Sequence, residues 1–133
     1  MHKAAFNFIL AAALLLAPVA ARAQLDDAGV NEAGSAIMDA GKMAAQIRAL
    51  RDVPSLGVIV IDRGFASPFS HIGNEVSRLQ IYEERFAPGI HRLRQALAAN
   101  PVTRRALASH GVNIAHVVGV EIGSSGSLRV FAD

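Results

Sequence analysis

The first 23 residues of the chain have the pattern of a secretory signal peptide, which leaves 110 of the 133 residues to form the folded part. His2 and Lys3 place positive charge at the start, and residues 8–17 form an unbroken apolar run. An Ala-Arg-Ala sequence ending at Ala23 has the alternating small residues that a signal peptidase recognises. The pattern predicts export and cleavage between Ala23 and Gln24.

The processed chain, residues 24–133, is expected to be one small globular domain. The whole chain has 13 Lys and Arg against 11 Asp and Glu, so loss of Lys3 and Arg22 leaves a formal charge of zero. This balance argues against nucleic acid as a partner, because domains that bind nucleic acid carry an excess of cations.

Cysteine is absent, which excludes disulfides and a lipid-anchoring thiol. No later apolar run reaches the ~20 residues of a membrane span. The sequence predicts a soluble periplasmic or secreted protein, and the alanine-rich leader is typical of bacteria.

Apolar spacing predicts four helices. Residues 32–51 and 71–87 carry apolar side chains every three or four positions, and residues 90–97 continue that period after a Pro-Gly break. Asn100 before Pro101 is typical of a helix start, and Gly111 after His110 is typical of a helix end. Glycines in the first helix predict a close approach to a neighbouring element.

Two regions predict β-structure. Residues 56–61, Leu-Gly-Val-Ile-Val-Ile, are typical of a strand that is central in its sheet. Residues 117–131 alternate on either side of a Gly-Ser-rich turn, which is the pattern of a hairpin. The predicted fold is α+β in the order α-β-α-α-α-β-β. A small antiparallel or mixed sheet, made of the early strand and the C-terminal hairpin, is covered by three to four helices.

Histidines are the candidate metal ligands in a chain without cysteine. His71, His110 and His116 are weak candidates, because none of them forms a pair with the spacing that places two imidazoles on one face of a helix or strand. His110 also suits the negative end of a helix dipole. Asp62, at the end of the early strand, is the best-placed carboxylate. A small hydrolase or metal-dependent protein that uses these histidines with Asp62 is the alternative function.

Arginines on the central helices are the leading candidate binding residues. Arg92, Arg94, Arg104 and Arg105 lie in a helical region with few acidic residues. Guanidinium groups bind carboxylates and phosphates through paired hydrogen bonds, so an envelope protein or an anionic envelope component is the expected partner. The competing interpretation is a solvated helix face.

A loop with two aromatic residues is the other candidate surface. Phe65 and Phe69 flank Pro68, and they either fold over the sheet edge or stay exposed as anchors for a partner. No serine lies in a nucleophile elbow, and the Gly-Ser turn lacks the lysine of a phosphate loop. The sequence therefore favours a binding or interaction module that has no cofactor and is not an enzyme.

Overall fold

The fold is α+β, as predicted. The computed structural model describes residues 22–24, 27–61 and 71–133, and side chains over 29–61 and 78–133. Its elements are β1 (Arg22–Gln24), α1 (Asp27–Met38), α2 (Ala40–Ala49), β2 (Leu56–Val60), α3 (His71–Arg85), α4 (Ala87–Ala99), α5 (Pro101–Ser109), a 3-10 turn (Ile114–His116), β3 (Val117–Ile122) and β4 (Leu128–Ala132). None of the described helices is long and apolar enough to cross a bilayer.

The sheet is mixed. Three of its strands have five or six residues, and the fourth, β1, has three. Its order is β1-β2-β4-β3, so the hairpin presents β4 to the early strand. Strands β2 and β4 run parallel, with Val58 opposite Val130, while β3 and β4 are antiparallel. A β-bulge between Val117 and Gly119 shifts the register of the hairpin. The early strand, β2, lies between β1 and β4.

The predicted helix over residues 32–51 is two helices that meet at Asp39. Helical backbone hydrogen bonds continue across Asp39. Asp39 N donates to Ser35 O and Met43 N donates to Asp39 O, both at 3.0 Å. Helix α1 packs on β3, where Ala36 lies against Gly119, and on α3, while α2 packs mainly on α4 and also contacts β3. This stretch of sequence therefore contacts both the sheet and the helical layer, and the described chain has five helices instead of four.

A buried asparagine joins two distant helix ends. Asn100 begins α5 as predicted, because its side-chain oxygen accepts a 3.0 Å bond from Val102 N. Its amide nitrogen donates to the carbonyls of Ile47 at 2.8 Å and Leu50 at 2.9 Å. A single side chain therefore satisfies backbone groups at the end of α2 and at the start of α5.

The hydrophobic core contains most of the apolar residues that the periodicity predicts. Those predicted and found buried are Leu79, Leu93, Leu97, Val118, Val120 and Val130. The early strand departs from simple alternation, since Val58 and Ile61 are buried whereas Val60 is 43% exposed. The ladder to β4 continues past the strand end through a 2.7 Å bond from Ile61 N to Ala132 O, and this holds Ile61 in the core.

Candidate functional site

Helices α2 and α4 cross at a pair of glycines. A Cβ atom on Gly89 would lie 3.0 Å from the backbone nitrogen of Gly41, and one on Gly41 would lie 3.4 Å from the Cα of Gly89. Only residues without a side chain allow two helix backbones to approach this closely. The close approach predicted from the glycines of the first helix is therefore present at Gly41.

An open cleft of about 450 Å³ lies beside this crossing, and we call it the basic cleft. It has three cations from three helices, with Lys42 on α2, Arg85 on α3 and Arg92 on α4. Its apolar part includes Met38, which is 44% exposed. The described residues that line the basic cleft are Met38, Gly41, Lys42, Arg85, Phe86, Pro88, Gly89 and Arg92.

The basic cleft has a positive electrostatic character. None of its described lining residues is acidic. Asp39 lies 3.8 Å from the Lys42 ammonium group, but both side chains are well exposed, and such pairs contribute little. A guanidinium nitrogen of Arg92 lies over Gly41, 2.8 Å from the position that a Cβ would occupy. The glycine crossing thus also makes room for the cation that faces it.

The four arginines singled out from the sequence have different surroundings. Arg92 lines the basic cleft. Arg94 is half-buried, and its Nε donates a 2.8 Å bond to the Val117 carbonyl, which ties α4 to β3. Arg104 donates a 3.2 Å bond to the Ala98 carbonyl at the end of α4, and Arg105 is exposed. Sequence reasoning did not select Lys42 as a binding residue, although it lies next to Gly41, where the helices meet.

Two of the candidate histidines, His110 and His116, have described polar contacts. His110 Nδ1 lies 2.9 Å from the Ala106 carbonyl in the last turn of α5, where an imidazole complements the helix end. His116 Nδ1 lies 3.5 Å from an Asp133 carboxylate oxygen. Within the described ranges, no three His, Cys, Asp or Glu side chains are grouped so that they could hold a metal ion.

Several sequence candidates lie outside the described residues. Asp62, Phe65 and Phe69 are among these, because they fall within residues 62–70. His71 begins α3, but its side chain also lies outside the described part. Residues 1–21 of the predicted leader also lie outside the described residues.

An ionic cluster that the sequence did not reveal joins α1 to the hairpin. Arg129 Nη1 donates a 2.5 Å bond to a Glu32 carboxylate oxygen and lies 3.5 Å from Glu121. Burial raises the pKa of the Glu121 carboxyl above its ordinary value, Glu32 raises it further, and Arg129 opposes both. The two carboxylates share one guanidinium, so the cluster is best explained as a structural contact between α1 and the hairpin.

Comparisons of the chain with family models, with curated proteins and with solved structures found no match in any of the three. The chemistry of the basic cleft is therefore the basis on which a function can be argued.

Proposed function

We propose that the protein is a small exported binding module, without catalytic activity, that holds an acidic segment of a partner protein in the basic cleft. The observation that carries this proposal is the meeting of Lys42, Arg85 and Arg92 around one open cleft with no acidic residue among its described lining. Guanidinium groups bind carboxylates through paired, charge-assisted hydrogen bonds, which gives an acidic segment both attraction and orientation.

The apolar residues beside the cations favour a peptide segment as the ligand of the basic cleft. Met38, Phe86 and Pro88 add apolar side chains to the same lining. A segment that alternates acidic and apolar side chains matches this arrangement, because binding sites combine an apolar lining with a few placed polar groups.

Export is the second part of the proposal. It is supported by the charged start, the apolar run and the small residues before Gln24. A processed chain would meet its partner in the bacterial envelope or outside the cell. The alternative of a metal-dependent hydrolase depends on Asp62 and His71, whose side chains lie outside the described residues.

Charge reversal in the basic cleft tests the binding proposal. The full gene is expressed with its leader, and periplasmic protein is titrated with a fluorescent synthetic peptide of alternating glutamate and leucine. We expect Arg85→Glu combined with Arg92→Glu to weaken peptide binding about tenfold or more. Rising salt should also weaken binding to the unmodified protein, because exposed charges are screened.

The control variant changes the same number of charges elsewhere. Arg78→Glu combined with Arg105→Glu alters two exposed arginines that do not line the cleft, and we expect it to retain most of the affinity. Equal losses in the two double variants would show non-specific charge attraction and contradict the cleft as the site. Binding to vesicles of anionic phospholipid without binding to the peptide would contradict a protein partner.

A further inference from the structure

The outer edge of β2 is covered by a strand that the predicted processing step would divide. Residues Arg22–Gln24 form β1 and pair in parallel with β2, with Arg22 opposite Val58 and Gln24 opposite Val60. Cleavage between Ala23 and Gln24 falls inside this strand and removes two of its three residues. The inference below rests on the export part of the proposed function, because this cut would leave β2 as the edge of the sheet.

The composition of β2 lacks two features that usually block further pairing at a sheet edge. Strand β2, Leu-Gly-Val-Ile-Val, contains no charged residue and no proline, which are the usual means by which an edge avoids other strands. Val60 is 43% exposed although it lies in a central strand. Val58 and Val60 also line an open cavity of about 260 Å³ together with Val112 and Ala132. The edge is therefore both able to form hydrogen bonds and bordered by accessible apolar surface.

We propose that β2 of the processed chain pairs with β2 of a second copy, antiparallel about a two-fold axis at Val58. This register places the exposed Val60 opposite Leu56 of the partner subunit on the same face, where apolar cross-strand pairs stabilise a sheet. A two-fold arrangement needs only one self-complementary edge. The processed chain has equal numbers of cations and acidic residues, so two copies approach without net repulsion. The result is one continuous sheet through two copies.

The test measures assembly of periplasmic protein. The full gene is expressed with its leader, intact mass identifies the first residue, and sedimentation velocity is recorded over a wide range of concentrations. We expect a chain that begins at Gln24 to form dimers. Val60→Lys should weaken the dimer about tenfold or more, because it places a charge at the centre of the new apolar pair.

A matched control separates the edge from general surface hydrophobicity. Ile81 is 61% exposed on α3, and Ile81→Lys introduces the same side chain away from β2. We expect this variant to dimerise like the unmodified protein. Thermal melts of both variants show whether the domain is folded, and Val60→Glu supplies a second edge variant if the lysine variant unfolds.

Three outcomes would overturn the inference. These are a processed chain that stays monomeric, edge variants that dimerise as strongly as the unmodified protein, and recovery of the uncut chain of 133 residues. Failure of the basic cleft is distinguishable from each of them, because peptide titration does not depend on assembly. The double variant at Arg85 and Arg92 should remain dimeric even where it no longer binds the peptide.

Discussion

The two edges of the sheet, with β3 at one and β2 beside the short β1 at the other, differ in their contacts with the rest of the chain. We refer to them as the β3 side and the β2 side. On the β3 side, Gly119 lies against the backbone of Ala36, and Arg94 bonds to the Val117 carbonyl. On the β2 side, the neighbouring strand has three residues, and Val60 is largely exposed. Both strands are rich in apolar β-branched residues, so strand composition does not explain the difference. What differs is the number of anchoring contacts from helices, which is larger for β3 than for β2.

The largest expected difference between the two sides follows from adding a methyl group to a glycine in each strand. A Cβ on Gly119 would lie 2.8 Å from the Cβ of Ala36 and 2.9 Å from its carbonyl carbon. Because backbone atoms cannot easily move away, we expect Gly119→Ala to lower the free energy of unfolding by about 3 kcal/mol. Gly57 on β2 has no described atom within 4 Å of the same position, and Gly57→Ala should change stability by less than about 1 kcal/mol. Denaturant unfolding measures both, and equal losses would show that the two sides are packed alike.

Removal of a helix-to-strand hydrogen bond should have the next largest effect. Arg94→Ala leaves the Val117 carbonyl without its 2.8 Å bond from a charged donor, and we expect a loss of about 2 kcal/mol in unfolding free energy. Arg105→Ala, at an exposed position on α5, should change stability by less than about 0.5 kcal/mol. A similar small change for both variants would mean that Arg94 does not anchor the β3 side.

The smallest expected effect is a pH dependence on the β3 side. Burial first and Glu32 second raise the pKa of Glu121 above its ordinary value of 4.5. The folded chain therefore binds this proton more tightly than the unfolded chain. Glu121 lowers stability as pH rises from its unfolded value through its raised folded value, and the loss persists at neutral pH.

Glu121→Gln should remove this loss. We expect the variant to be slightly more stable than the unmodified protein at neutral pH and to show a flatter stability profile between the unfolded and folded pKa of Glu121. Thermal unfolding across that interval gives the comparison. A profile that stays parallel to that of the unmodified protein would contradict the assignment of the pH dependence to Glu121.

Local sequence pattern predicted the elements of the fold better than their arrangement. Apolar spacing, the Asn100-Pro101 start and the hairpin alternation depend on residues close in sequence, and the structure confirms the α+β class and the mixed sheet. The break at Asp39 was not predictable from spacing, because the apolar period continues through it from Ile37 to Ala40 and Ala44. Strand order was also open, since a hairpin can present either strand to β2.

The candidate site was less predictable than the fold. Arg92 was identified as a binding residue from the sequence, but its cleft exists only because α2 and α4 cross at Gly41 and Gly89. Spacing along one helix cannot show which cations from three helices meet. Nor can it show that Arg94, two residues from Arg92, bonds to a strand carbonyl instead.

The asparagine that joins α2 to α5 has a consequence for the chemical ageing of the protein. Asparagine deamidates when the backbone nitrogen of the next residue attacks its side-chain carbonyl and closes a cyclic imide. The residue after Asn100 is Pro101, whose nitrogen carries no hydrogen and is already fully substituted, so this ring closure is blocked. Conversion to aspartate would replace the amide donor with an acceptor that faces the carbonyls of Ile47 and Leu50. The proline that starts α5 thus also protects the amide on which this helix junction depends.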